Sequence, residues 1–238
     1  MNPLDINIHK TNLTNILIDI YKDKELGTVL GFKGGTSAML FYDLPRFSID
    51  LDFDLIPKYT PKELDKIVKN ITELLSKKYT IKDQSNKFNT LFWLVSYGDR
   101  LTNIKVEVST RENPYNHYTL KSFYGIKINV LDIGDMIAHK MVTITDRPSL
   151  ANRDLFDVHF FLGTPYVNNI NYDIIKHRTG KEPKIFYKDL YKFISKIDSS
   201  TILNGLGEVL EQNRKDWAKA KLKTELLGLI QRQIDLVS

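Results

Sequence analysis

From residue 5 to 24 apolar residues recur every three or four positions, with Leu13, Ile16, Leu17 and Ile20 on one side, a spacing that predicts an amphipathic helix. Residues 28–33 and 48–56 read instead as strands, on either side of a short helix at 35–43. The second strand has two unlike faces. Ile49, Leu51, Phe53 and Leu55 alternate with Ser48, Asp50, Asp52 and Asp54, so an apolar face backs an acidic one. Pro61 to Lys78 predicts a helix, with its proline suited to the first turn. Runs near 79–85, 88–98, 103–110 and 122–130 predict further strands; Asn113-Pro114 and Gly125 mark irregular connections. From Asp132 onward the chain reads as almost wholly helical, with breaks near Pro148, Pro165, Gly180–Pro183 and Asp198–Ser200. Strands first and helices later predict an α+β fold: a mixed sheet with helices over residues 1–131, then a mainly helical half over 132–238. No internal repeat or flexible linker interrupts this order.

Composition narrows the chemistry. At 238 residues the chain is long enough to bury a substantial core. The absence of cysteine excludes a disulfide scaffold, a thiol nucleophile and a cysteine zinc site, and fits a reducing cytoplasm, the expected location. The five histidines, His9, His117, His139, His159 and His177, have no metal-ligand spacing. No apolar run is long enough to span a membrane, and no signal-peptide pattern follows Met1. The net charge is +5. Lysine-rich stretches at Lys176–Lys196 and Arg214–Lys223 carry interleaved aromatics. Such stretches either contact RNA or are the solvated faces of amphipathic helices, and both readings stand.

The candidate chemistry centres on Asp50 and Asp52. Carboxylates two residues apart on one strand face repel each other, and a divalent cation between them relieves this. Alone, the pair also fits a strand with one wet face. Its neighbours add to it. Lys33-Gly34-Gly35-Thr36-Ser37 stands between the first predicted strand and the short helix. Glycines there allow close backbone approach, helix-start amides attract phosphate, and the Thr36 and Ser37 hydroxyls add donors. This is neither a Walker A loop nor a dinucleotide fingerprint. Asp54, third on the acidic face, is expected to be exposed or to make a structural bond. The run Ile104-Lys105-Val106-Glu107-Val108 puts Glu107 on a polar face with Lys105, as a third metal ligand or a cross-strand ion pair.

Lys33-Gly34-Gly35-Thr36 followed by Leu44-Pro45-Arg46-Phe47-Ser48-Ile49-Asp50-Leu51-Asp52-Phe53 resembles the nucleotidyltransferase superfamily typified by DNA polymerase beta. The likeness is closest to its AbiEii/AbiGii toxin branch, which includes the MenT-type toxins, and covers about residues 10 to 165. Downstream, Lys140, Arg147 and Arg153-Asp154-x-x-Asp157 follow the same family pattern. The resemblance implies that Asp50, Asp52 and Glu107 bind Mg²⁺ or Mn²⁺. It further implies that Lys33, Gly34, Gly35, Thr36, Ser37, Ser48, Lys140 and Arg147 contact the nucleotide, and that Asp157 orients Lys140 or Arg147. Lys140 is expected on the polar side of its helix, opposite Met136, Met141 and Ile144, where its removal costs little stability. For Arg153 and Asp157 an ordinary i,i+4 helix pair is the alternative, and Asn152 is the expected N-cap.

Taken together, the expectation is a metal-dependent toxin of a toxin–antitoxin system linked to phage resistance. It would transfer NMP from an NTP to an acceptor, with the tRNA 3′ end favoured by some relatives. Its expected partners are an NTP, a tRNA and a cognate antitoxin, with no membrane. A transferase acting on a protein or small molecule, and a nucleotide- or RNA-binding module without turnover, remain open. The residues name neither the base nor the acceptor.

Overall fold

The computed structural model describes residues 5–98, 102–147 and 150–237. The chain forms two units, Met1–Asp43 with Ser48–Leu131, and Leu44–Phe47 with Asp132–Ser238.

In the first unit, helix α1 (Ile6–Lys22) starts where the Asp5 carboxylate accepts from the Asn7 and Ile8 amides. It buries Leu13, Ile16, Leu17 and Ile20. A short helix, α2 (Leu26–Val29), leads into β1 (Leu30–Lys33), then α3 (Gly34–Phe41) and β2 (Leu51–Leu55). Helix α4 (Pro61–Ser76) has proline in its first turn and a capping box between Thr60 and Glu63. Strands β3 (Thr80–Lys87), β4 (Thr90–Ser96), β5 (Ile104–Ser109), β6 (Tyr118–Phe123) and β7 (Ile126–Leu131) follow.

The seven strands make one mixed sheet in the order β3-β4-β5-β2-β1-β7-β6. Strand β2 runs antiparallel to β1 and parallel to β5. Its apolar residues Leu51 and Phe53 are fully buried, and the Phe53 ring packs against Phe32 of β1 and Tyr21 of α1. Trp93 of β4 is buried and donates from Nε1 to Thr72 of α4 at 2.9 Å. The sheet therefore has one oily face under helices, as the alternation predicts.

One stretch differs from the sequence expectation. A single strand was expected at 122–130, and the structure has a β6–β7 hairpin there. Its two-residue loop, Tyr124-Gly125, has φ of 45° and 81°, the left-handed pair that suits the twist of a tight hairpin. A tyrosine at the first of those positions hides the signal, which is strongest for Asn-Gly or Asp-Gly.

The second unit is helical: α5 (Ile133–Asp146), α6 (Asn152–Leu162), α7 (Tyr172–Thr179), α8 (Pro183–Ser195), α9 (Gln212–Trp217) and α10 (Lys223–Leu236), with short 3₁₀ turns and a π-helical stretch at Ala218–Leu222. Its core gathers Ile137 and Met141 from α5, Val158 and Phe161 from α6, Tyr187 and Leu190 from α8, and Leu226 and Ile230 from α10. Gly180 ends α7 in the left-handed conformation, and Pro183 opens α8. The expected break at Pro148 lies outside the described residues. Asn152 is not the cap of α6. Ala151 holds that position, and the Asn152 amide donates instead to the carbonyls of Thr201 and Asn204. The local rule loses here to a long-range backbone need.

No helix among the described residues is long and apolar enough to cross a membrane.

Candidate active site

Asp52 of β2 stands opposite Lys33 of β1 on one side and Glu107 of β5 on the other. Directly paired residues of a parallel ladder project from the same face, so Asp52 and Glu107 share the polar face of the sheet. Asp50 lies just before β2. Its Oδ2 is 4.0 Å from the Lys105 ammonium of β5, so it too belongs to that face. Thus Lys105 pairs across strands with Asp50.

Asp50 carries the most telling atom. Its Oδ1 is buried and has no hydrogen-bond partner. A buried carboxylate oxygen without a donor costs free energy that a cation would offset. Oxygen donors of this kind suit Mg²⁺ or Mn²⁺, so the chemistry of Asp50 and Asp52 fits such an ion. Among the described residues, no three His, Asp or Glu side chains are gathered as a metal cluster. The fit therefore rests on the Asp50 oxygen and the shared face, with Glu107 in register beside them.

The glycine turn is built against this pair. Gly34 has φ of +80°, and a Cβ there would sit 2.2 Å from Asp52 Oδ2. Only glycine allows both the backbone and the carboxylate at that distance. The Thr36 hydroxyl donates to the Asp50 carbonyl and so ties the turn to the acidic strand. Ser37 Oγ lies 3.5 Å from the Phe32 carbonyl. Both side chains are fully buried. Within the chain these hydroxyls tie the turn to neighbouring backbone carbonyls, and the turn's backbone amides are further donors. Lys33 is likewise engaged, at 2.5 Å from Asp54 Oδ1. Asp54 also accepts from Tyr118 at 2.8 Å and Asn116 at 3.2 Å, so it is a buried structural acid and not an exposed one. Ser48 is buried.

Gly34→Ala is expected to be among the most damaging single-atom additions in the chain. It combines an unfavourable φ with a clash on the Asp52 carboxylate. Any activity of this site should fall at least about tenfold, with a stability loss of about 1–3 kcal/mol. Thermal melting and initial rates on the purified variant check it; wild-type values for both would mean the turn tolerates a side chain.

The second unit holds a charged cluster of its own. Asp157 of α6 is completely buried. It accepts two bonds from Arg46, Nε to Oδ1 at 2.5 Å and Nη2 to Oδ2 at 2.7 Å, and one from the Lys140 ammonium of α5 to Oδ2. Lys140 also lies 3.7 Å from Asp154, which pairs with Arg147 at 3.4 Å. Burial alone would raise the Asp157 pKa, but the two adjacent cations outweigh it and hold the carboxyl below its ordinary value. The i,i+4 alternative with Arg153 is set aside, since both Asp157 oxygens are committed elsewhere.

Lys140 is not on a solvated side, as expected from its helix; it is buried, with 11 % of its side chain exposed. The helical wheel sees only one helix and cannot see α6 packing over that side. Arg46 is the residue that sequence reasoning missed. The available signal was an arginine among apolar residues with a spare aspartate elsewhere.

Comparison with known proteins bears on what this arrangement is. The family model described as "Nucleotidyl transferase AbiEii toxin, Type IV TA system" matches residues 16–228. No curated protein sequence matches significantly. Among solved structures, JHP933 from Helicobacter pylori is similar with a TM-score of 0.61 and 21% identity, over 97% of this chain and 92% of that one. A protein from H. pylori provisionally described as a nucleotidyltransferase has the same TM-score and identity, over 95% and 93%. At that identity the likeness speaks for the fold.

Proposed function

Since this chain belongs to the AbiEii family of nucleotidyltransferase toxins of type IV toxin–antitoxin systems, we propose that it transfers NMP from an NTP to the 3′ end of a tRNA, with Asp50, Asp52 and Glu107 holding Mg²⁺ or Mn²⁺. The observation that carries the metal reading is the buried, partnerless Asp50 Oδ1 on the same sheet face as Asp52 and Glu107. The bound ion would supply Lewis-acid chemistry, making the acceptor hydroxyl more acidic and offsetting charge on the departing pyrophosphate.

The chain's own residues do the rest. Asp50 and Asp52 fix the ligand oxygens, and Gly34 keeps the Asp52 carboxylate in place by leaving it room. The Gly34-Gly35 backbone amides at the start of α3 are proposed to receive phosphate oxygens. Glu107 is proposed to take the acceptor proton as the hydroxyl attacks the α-phosphorus in line. Arg147 is proposed as a phosphate contact, because its side chain is 54 % exposed while it leans on Asp154. Lys140 was expected to contact the triphosphate, and Asp157 to orient Lys140 or Arg147. Here they are proposed to act chiefly by setting the charge and shape of their own unit, since the Lys140 ammonium is already held by two carboxylates.

The acceptor is tested by incubating tRNA with the protein, Mg²⁺ and each NTP in turn, then weighing the intact RNA. The expected result is a gain of one or more nucleotide residues with at least one NTP, abolished by EDTA. Unchanged tRNA together with a nucleotide gain on a protein or small molecule would contradict the tRNA assignment and favour the alternative acceptor.

A further inference from the structure

We propose that the solvent side of α8 is a docking surface for the phosphodiester backbone of RNA. Lys184, Lys188 and Lys192 of α8 and its C-cap Lys196 recur at four-residue intervals and are all exposed. On a helix that spacing is a single inclined ridge, rising about 6 Å per step and about 18 Å in all. Each step is of the order of the separation between successive phosphates of an extended strand.

The ridge is electrostatically open. The nearby acids are consumed elsewhere: Glu182 pairs with Lys176 and Asp189 with Lys181, each at 2.6 Å. Among the described residues no carboxylate pairs with any of the four ridge lysines. Four lysines in one row with no acid beside them to offset their charge retain a field that favours a polyanion. Beside the ridge, Phe193 is 39% exposed and Ile185 is 55% exposed. Their exposure is not needed for packing, because Phe186, Tyr187, Leu190 and Ile194 already fill the core side of α8. An exposed ring next to lysines offers a base a stacking surface. An anionic membrane would also attract lysines beside apolar residues. The regular spacing and the aromatic ring favour RNA, and the membrane is made an outcome of the test.

The inference rests on the proposed function only for its choice of an RNA acceptor. Its test therefore uses binding without metal or NTP. Full-length protein is titrated into labelled tRNA, and into a labelled single-stranded RNA, over a range of salt. The variant carries Lys184→Gln, Lys188→Gln, Lys192→Gln and Lys196→Gln. A control of equal charge change carries Lys62→Gln, Lys77→Gln, Lys82→Gln and Lys87→Gln, and circular dichroism checks that both fold. The ridge variant should bind at least about tenfold more weakly. Its slope of log affinity against log salt should be shallower by about 2–3, near 0.7 per lost single-strand contact. The control should bind like wild type. Equal losses in both variants, or no loss in the ridge variant, would overturn the surface. So would ridge-dependent binding to phosphatidylserine vesicles with no ridge-dependent binding to RNA. Ridge-dependent RNA binding by a protein that transfers nothing would support the surface and count against the enzyme reading alone.

Discussion

Asp52→Ala is expected to lower nucleotidyl transfer by about three orders of magnitude, at the upper end of what losing one charge-stabilising group costs. Asp52 lies at the junction of three constraints: it pairs in register with Glu107, sits across from Lys33, and presses its carboxylate on Gly34. Removing it takes away a proposed metal ligand and leaves the oily face of β2 untouched, since Leu51 and Phe53 point the other way. It also lowers the local negative charge, so the melting temperature should hold or rise slightly. Asp50→Ala should behave alike. Initial rates at saturating Mg²⁺, measured alongside thermal melting, read both effects. A variant keeping wild-type rates would remove these carboxylates from the chemistry.

Asp157→Ala should produce the largest loss of stability, about 3–5 kcal/mol, the usual cost of breaking a buried ion pair from one side. Two cations, Arg46 and Lys140, would be left buried without their shared acceptor. Lys140→Ala should cost less, about 2 kcal/mol, because Arg46 still grips Asp157 with two bonds. The pH dependence follows in sign. Asp157 has its folded pKa lowered, so its contribution is fully present above the unfolded carboxyl value of about 3.9 and is lost as pH falls through the lower folded value. Urea unfolding of wild type and Asp157→Asn should therefore differ strongly at neutral pH and converge in acid below about pH 4. A difference that does not change with pH would remove the charge from the explanation.

Which parts of this were legible in the sequence depended on how local the physics is. The alternation from Ser48 to Leu55 reports β2 directly, because a strand's two faces are written in neighbouring residues. The helices α1 and α4 were legible for the same reason, and the structure adds Asp5 and Thr60 as their caps. Glycine at position 34 could be seen as a turn, but not that its missing Cβ makes room for Asp52. The α+β class, with strands first and helices later, also followed from order alone. What stayed hidden was set by distant segments. Arg46 meets Asp157 across 111 positions of chain, and Asn152 is drawn from its capping role by carbonyls about 50 positions away. Lys140 looked solvated on its own helix and was buried by the next one. The Tyr124-Gly125 hairpin showed only as an irregular connection at Gly125, because tyrosine rarely enters the left-handed region.

If Asp50 and Asp52 hold a divalent metal for nucleotidyl transfer, crystals grown with Mn²⁺ and a non-hydrolysable NTP analogue will show it. An anomalous peak is expected within coordination distance of Asp50 Oδ1 and an Asp52 oxygen, with the analogue's phosphates beside it, and no such peak in Asp52→Ala crystals. Bound analogue with no Mn²⁺ at these carboxylates, or Mn²⁺ at another cluster, would contradict it.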